Sequence, residues 1–271
     1  MNALKVVAAK LAAGIGTRPL RLAHYWRWAL AVWCACLATT AGFQIIVDPY
    51  CAYGGWSGFD RYKLFAKRDE AKAETLIRLR PHTLILGTSR AMAFNPASPL
   101  WGPQPAFNLG LPAAPQQRVA QAFETASLHA PVKRVFLCVD FYQYGCDPSP
   151  RSFHRSRLSP DFSAMRYHFD NLFSQKSFEA SQEVVRGYLL GKPSDFTPWT
   201  GLATGRFHTQ RRPRDLFVSM AEGYAKIYES YGRRESEFAA LARIVRTCRE
   251  REIELIVATA PVHAVHLEIL H

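Results

Sequence analysis

The sequence predicts an α/β protein built on a parallel sheet and carried on one membrane-spanning helix. Three observations predict it. Short apolar strands alternate with helical stretches from residue 83 onward, the pattern of a parallel sheet packed by helices. Residues 28–47 form an uncharged run of about 20, the length of a bilayer core. Polar side chains able to do chemistry stand just past the strands, where open α/β sheets place their ligands.

The elements follow in chain order. Residues 1–27 carry Lys5, Lys10, Arg18, Arg21 and Arg27, and no acidic residue precedes Asp48. The positive-inside rule therefore keeps residues 1–27 in the cytoplasm and exports the rest. Trp26, Trp28 and Tyr50 flank the span at headgroup depth, and Thr39, Thr40 and Gln44 are its polar members. A cleaved signal peptide is the competing reading, but the basic region is long and Thr39–Ala41 makes a poor cleavage site. Lipid attachment at Cys34 or Cys36 is crowded by Trp33. Residues 48–82 read as a linker with Pro49, Gly54, Gly55 and Gly58, ending in a short helix near 68–79.

The α/β domain then occupies 83–271. Thr83–Gly87 is a strand covered on both faces. Ala106–Leu109 is a second, short strand ending at Gly110. Pro115 opens a helix whose Val119, Phe123 and Ala126 share one face. Val135–Val139 is the third strand. Residues 145–234 read as an insertion, with one helical stretch near 177–190. A helix over 235–251, with Phe238, Leu241, Val245 and Cys248 inward, feeds a fourth strand at Ile253–Ala258 that stops before Pro261.

Net charge is +12, and residues 151–214 hold 11 Lys or Arg against 5 Asp or Glu. Such a basic insertion is either a solvated face or a site of attraction for an anionic polymer or headgroups. No nucleic-acid motif is present, and nucleic acid is not expected as a partner. Of six cysteines, Cys34 and Cys36 lie in the span, while Cys138 and Cys248 read as core. Cys51 and Cys146 lie in loops and can pair in an oxidising compartment. There is no Cys-x-x-Cys and no metal-ligand spacing, so neither a metal nor a cofactor is expected.

The ends of the four strands carry the candidate site. Strand one presents Ser89 and Arg90, strand two Asn108 and Gly110. Strand three presents Asp140, Tyr142 and Gln143, and strand four Thr259 and His263. A serine, an arginine, a carboxylate, amides and a histidine around one crevice suit acyl transfer. Ser89 is the candidate nucleophile, against a plain capping role. The N–H of Ser89, Arg90 or Gly110, with a side-chain amide, is the candidate oxyanion hole. Asn108 either serves that hole or satisfies a turn, and Asp140 either faces substrate or pairs with Arg90. His263 is the local candidate for the base.

Leu86-Gly87-Thr88-Ser89-Arg90, Phe107-Asn108-Leu109-Gly110-Leu111 and Val139-Asp140-Phe141-Tyr142 appear in that order. With Val47-Asp48-Pro49-Tyr50 and Ala260-Pro261-Val262-His263, they resemble the membrane-anchored SGNH-hydrolase-like proteins of the bacterial envelope. Those are similar to the exported proteins that O-acetylate alginate or D-alanylate teichoic acids. The resemblance runs from about Asp48 to the last residue. It implies a flavodoxin-like α/β/α sandwich, Ser89 as nucleophile and Gly110 as oxyanion glycine. It also implies an inner-membrane location and, as partners, an anionic envelope polysaccharide or an acyl-transferring membrane protein. Three departures qualify it. Thr88 stands where the family has Asp. Asp140 stands nearest the family's Asn. The family's Asp-x-x-His after a fifth strand is not found, and Glu268-x-x-His271 falls too early. The expectation is an SGNH-like esterase or acyltransferase; the alternative is a truncated or inactive relative that binds envelope glycan or protein.

Overall fold

The computed structural model describes residues 18–63, 69–145, 156–157, 162–193 and 232–259, with a few more between 218 and 225. Helix α1 runs Arg18–Val47, and its segment His24–Val47 is long and apolar enough to span a membrane, with a mean hydropathy of 1.9. Nothing in it breaks the helix. Thr39 and Thr40 turn their hydroxyls back onto the carbonyls of Ala35 and Cys36, so they leave no unpaired donor.

The last turns of α1 belong to the globular part. Gln44 and Val47 are buried. Helix α4 (Ala164–Phe173) and helix α5 (Gln175–Leu189) pack against them. Gln44 Oε1 accepts a hydrogen bond from Ser181 Oγ at 2.5 Å, with Ser177 Oγ at 3.5 Å. Tyr50 donates to the carbonyl of Lys176.

The described part of the segment expected as a linker is packed. Asp48 adopts a left-handed conformation, and its carboxylate accepts the N–H groups of Ala52, Tyr53 and Gly54 at 2.6–3.1 Å. That cap reverses the chain, and the N–H of Trp56 then bonds Ile46 at the end of α1. Lys63 is buried, with Nζ 2.8 Å from Asp60 and 4.0 Å from Asp48, which keeps its charge paired.

Helix α2 (Asp69–Leu79) leads into the sheet. Its buried Glu74 takes Arg157 in a bidentate pair and the Tyr167 hydroxyl at 2.8 Å, which ties α4 to α2. The four strands are β1 (Thr83–Gly87), β2 (Ala106–Asn108), β3 (Arg134–Val139) and β4 (Glu254–Thr259). They are all parallel, in the order β2-β1-β3-β4. Helix α3 (Gln116–His129) and helix α6 (Glu235–Glu250) make the crossovers to β3 and β4 and pack on each other.

Alternation along the strands sorts the core. Leu84, Leu86, Val135 and Leu137 face α3 and α6, with Val119, Phe123, Ala126, Ile244 and Cys248 filling the space between. Ile85 and Cys138 face the other way. Among the described residues, that face is covered by Ala91, Phe94 and Trp101 from 3₁₀ turns rather than by long helices. β4 is exposed at Ile256 and Val257. The inner stripe of α6 is Glu237, Ala240, Ile244 and Cys248; Phe238, expected inside, is partly exposed.

Candidate functional site

The strand order fixes where a crevice forms. From β1 the chain steps outward to β2, then returns across β1 to β3. From β3 it continues outward to β4, so the connections leaving β1 and β3 diverge between those two strands, and ligands of open parallel sheets bind at such a point. Thr88, Ser89 and Arg90 leave β1 there, and Asp140 leaves β3 beside them.

The turn at the end of β1 is tightly determined. Gly87 has φ +143°, and a Cβ there would lie 2.4 Å from the carbonyl oxygen of Cys138, so only glycine fits against β3. The next residues form a 3₁₀ turn, in which the N–H groups of Ala91 and Met92 bond the carbonyls of Thr88 and Ser89. Asn108, fully buried at the end of β2, holds this turn. Its Nδ2 donates to the carbonyls of Ala91 and Phe94 at 2.7 and 2.9 Å. Its Oδ1 accepts the N–H of Gly110 at 2.9 Å.

Asp140 holds the turn from the other side. Arg90 Nη1 lies 2.5 Å from Asp140 Oδ1, and Thr88 Oγ1 donates to Oδ2 at 3.1 Å. Of the two roles open to Asp140, the geometry therefore displays the pairing with Arg90. Gln143 closes the group: its Oε1 accepts the N–H of Asp140 at 2.8 Å, which fixes the amide's orientation. Its Nε2 is buried and has no hydrogen-bond partner among the described residues.

Ser89, Arg90, Asn108, Gly110, Asp140 and Gln143 thus gather around the ends of β1, β2 and β3. Ser89 itself is exposed, and its hydroxyl and N–H make no hydrogen bond among the described residues. The expected donor at Gly110 is engaged by Asn108, because the two-residue spacing suits a side-chain turn. The amide of Asn108 is likewise spent on the turn. His263, the Glu268-x-x-His271 pair, Cys146 and the side chain of Tyr142 lie outside the described residues. Cys51 is buried with a free thiol, which burial pushes up to about 12.

Two residues of this site were missed from the sequence. Lys72, fully buried on α2, donates to the carbonyl of Gly110 from beneath. Thr88 is the second, because its hydroxyl joins the two strand ends through Asp140. No His/Cys/Asp/Glu cluster able to hold a metal occurs among the described residues. No protein-family model, curated protein or solved structure matches this chain.

Proposed function

We propose that the chain is a membrane-anchored, exported SGNH-like esterase or O-acyltransferase that works through Ser89 on an acyl ester of the cell envelope. One observation carries the reading. Ser89 is exposed at the divergence of β1 and β3, while Thr88 and Arg90 on either side of it are fixed to Asp140. An immobilised, uncovered serine at that place is what nucleophilic attack requires.

In the reaction, Ser89 Oγ attacks the acyl carbonyl carbon and its proton passes to a base, for which His263 is the candidate. The leaving alcohol takes that proton and the acyl group stays on Ser89. Water or an acceptor hydroxyl then releases it. The free N–H of Ser89 and the spare amide of Gln143 are the candidate donors to the oxyanion. The excess of Lys and Arg in the sequence over 151–214 would suit an anionic polymer as substrate. The four-stranded parallel order agrees with the start of a flavodoxin-like sheet.

A second reading is a non-catalytic glycan- or protein-binding protein. It is favoured by the engagement of Asn108, Gly110 and Asp140 in holding the fold. The test is hydrolysis of p-nitrophenyl acetate by the full chain in detergent, beside Ser89→Ala and His263→Ala. Loss of activity in both variants is the expected result. Turnover unchanged in Ser89→Ala, or no turnover in the folded wild type, overturns the catalytic reading in favour of the second.

A further inference from the structure

Where α1 enters the domain, apolar side chains remain uncovered. A groove of about 530 Å³ opens there, lined by Phe43, Gln182, Val185, Arg186, Leu189 and Leu190. Leu189 is 76% exposed and Leu190 55%. Ile45, Ile46, Trp56 and Phe178 are also exposed close by, and Phe178 meets Phe43 in a tilted contact with ring centroids 6.0 Å apart. A water-facing protein surface rarely gathers so many apolar groups in one place.

Depth explains the collar. If Trp28 marks one edge of the bilayer, a hydrocarbon core of about 30 Å takes about 20 residues of helix and ends near Val47. Phe43 then lies about 6 Å inside the opposite edge, among the acyl chains just below the headgroups. Trp56 and Tyr188, ring centroids 5.8 Å apart, stand beside it, as aromatic side chains do at that depth. Arg186 stands in the groove wall and is exposed, and no ion pair to it is seen among the described residues. Lys176 and Lys192 lie on the same helix or just past it, as do Glu179 and Glu183, so the preference for an anionic headgroup rests on Arg186, which itself lines the groove.

We propose that this groove seats one phospholipid of the surrounding leaflet. An acyl chain lies against Phe43, Val185, Leu189 and Leu190, and Arg186 meets the phosphate. An anionic headgroup suits the site best, because its charge is not cancelled within the lipid. The proposal rests on α1 spanning a membrane.

The test uses the full chain purified in mild detergent and stripped of lipid. Dioleoyl phosphatidylglycerol or dioleoyl phosphatidylcholine is added, and bound lipid is counted by native mass spectrometry. One retained phosphatidylglycerol is expected, with weaker retention of phosphatidylcholine. Leu189→Glu should lower retention about tenfold, the effect of losing one buried leucine contact. Arg186→Gln should abolish the headgroup preference while leaving chain binding in place. Both side chains are exposed, so both variants fold, and an unchanged melt checks this. No retained lipid, or retention indifferent to both substitutions, overturns the proposal. Alkaline extraction of membranes separates the two levels. A chain released by carbonate refutes the membrane span and the lipid seat together; a chain that stays embedded without binding lipid refutes only the seat.

Discussion

Replacing Asp140 by alanine should loosen the whole crevice. The carboxylate is nearly buried, 6% exposed, and takes two side-chain donors: Arg90 at 2.5 Å and Thr88 at 3.1 Å. A hydrogen bond to a charged group contributes about 1.5–3 kcal/mol, and both donors here bond the carboxylate; a neutral bond would contribute about 0.5–1.5 kcal/mol. The Arg90 side chain keeps 24% of its exposure, so water regains part of its charge and the low end of the first range applies. The expected loss is therefore about 3–4.5 kcal/mol, or about 6–18 °C in Tm for a domain of this size. Urea unfolding of the full chain in detergent measures it. A double-mutant cycle with Arg90→Ala isolates the pair and should return about 1.5 kcal/mol of coupling. Coupling indistinguishable from zero would mean that Arg90 and Asp140 are neighbours without mutual support. The account of a turn clamped by Asp140 would then fail.

Further outcomes follow from the same geometry. Gly110→Ala puts a methyl 2.8 Å from Met92 Cγ and 3.0 Å from Thr88 O, and should destabilise by about 1–3 kcal/mol in the same unfolding assay. A chain beginning at Asp48 loses Val47 and the Gln44 acceptor of Ser181, and should be less stable by about 3–5 kcal/mol, read from its urea midpoint. The Cys51 thiol, pushed up to about 12, should resist iodoacetamide at pH 8 until the protein unfolds. Its proton is held more tightly folded than unfolded, so that contribution to stability is complete below pH 9 and disappears as pH rises toward 12.

The strands were legible because they announce themselves locally. Thr83–Gly87 is buried along its whole length, so its composition alone marked it. The α3 stripe of Val119, Phe123 and Ala126 was equally plain and is buried as expected. On α6 the largest apolar side chain misled. Phe238 leaves the inner stripe to stack on Tyr144, 4.7 Å away, under the Arg233 guanidinium, while small Ala240 takes the buried place. The pairing of Asp140 with Arg90 could be raised from strand order, since both leave adjacent strand ends. Lys72 under Gly110 could not, because a helix 38 residues earlier supplies it and no short pattern records such a contact. Gln44 was read as a tolerated polar group in lipid. Only the packing of α5 reveals that the domain reaches back to cover it.

That last contact has a mechanical side. Because α1 passes into the core without a flexible joint, the helix acts as the mast of the domain. If α1 spans a bilayer, any tilt of the helix turns the crevice through the same angle. The position of Ser89 relative to the axis of α1 is then fixed by the fold.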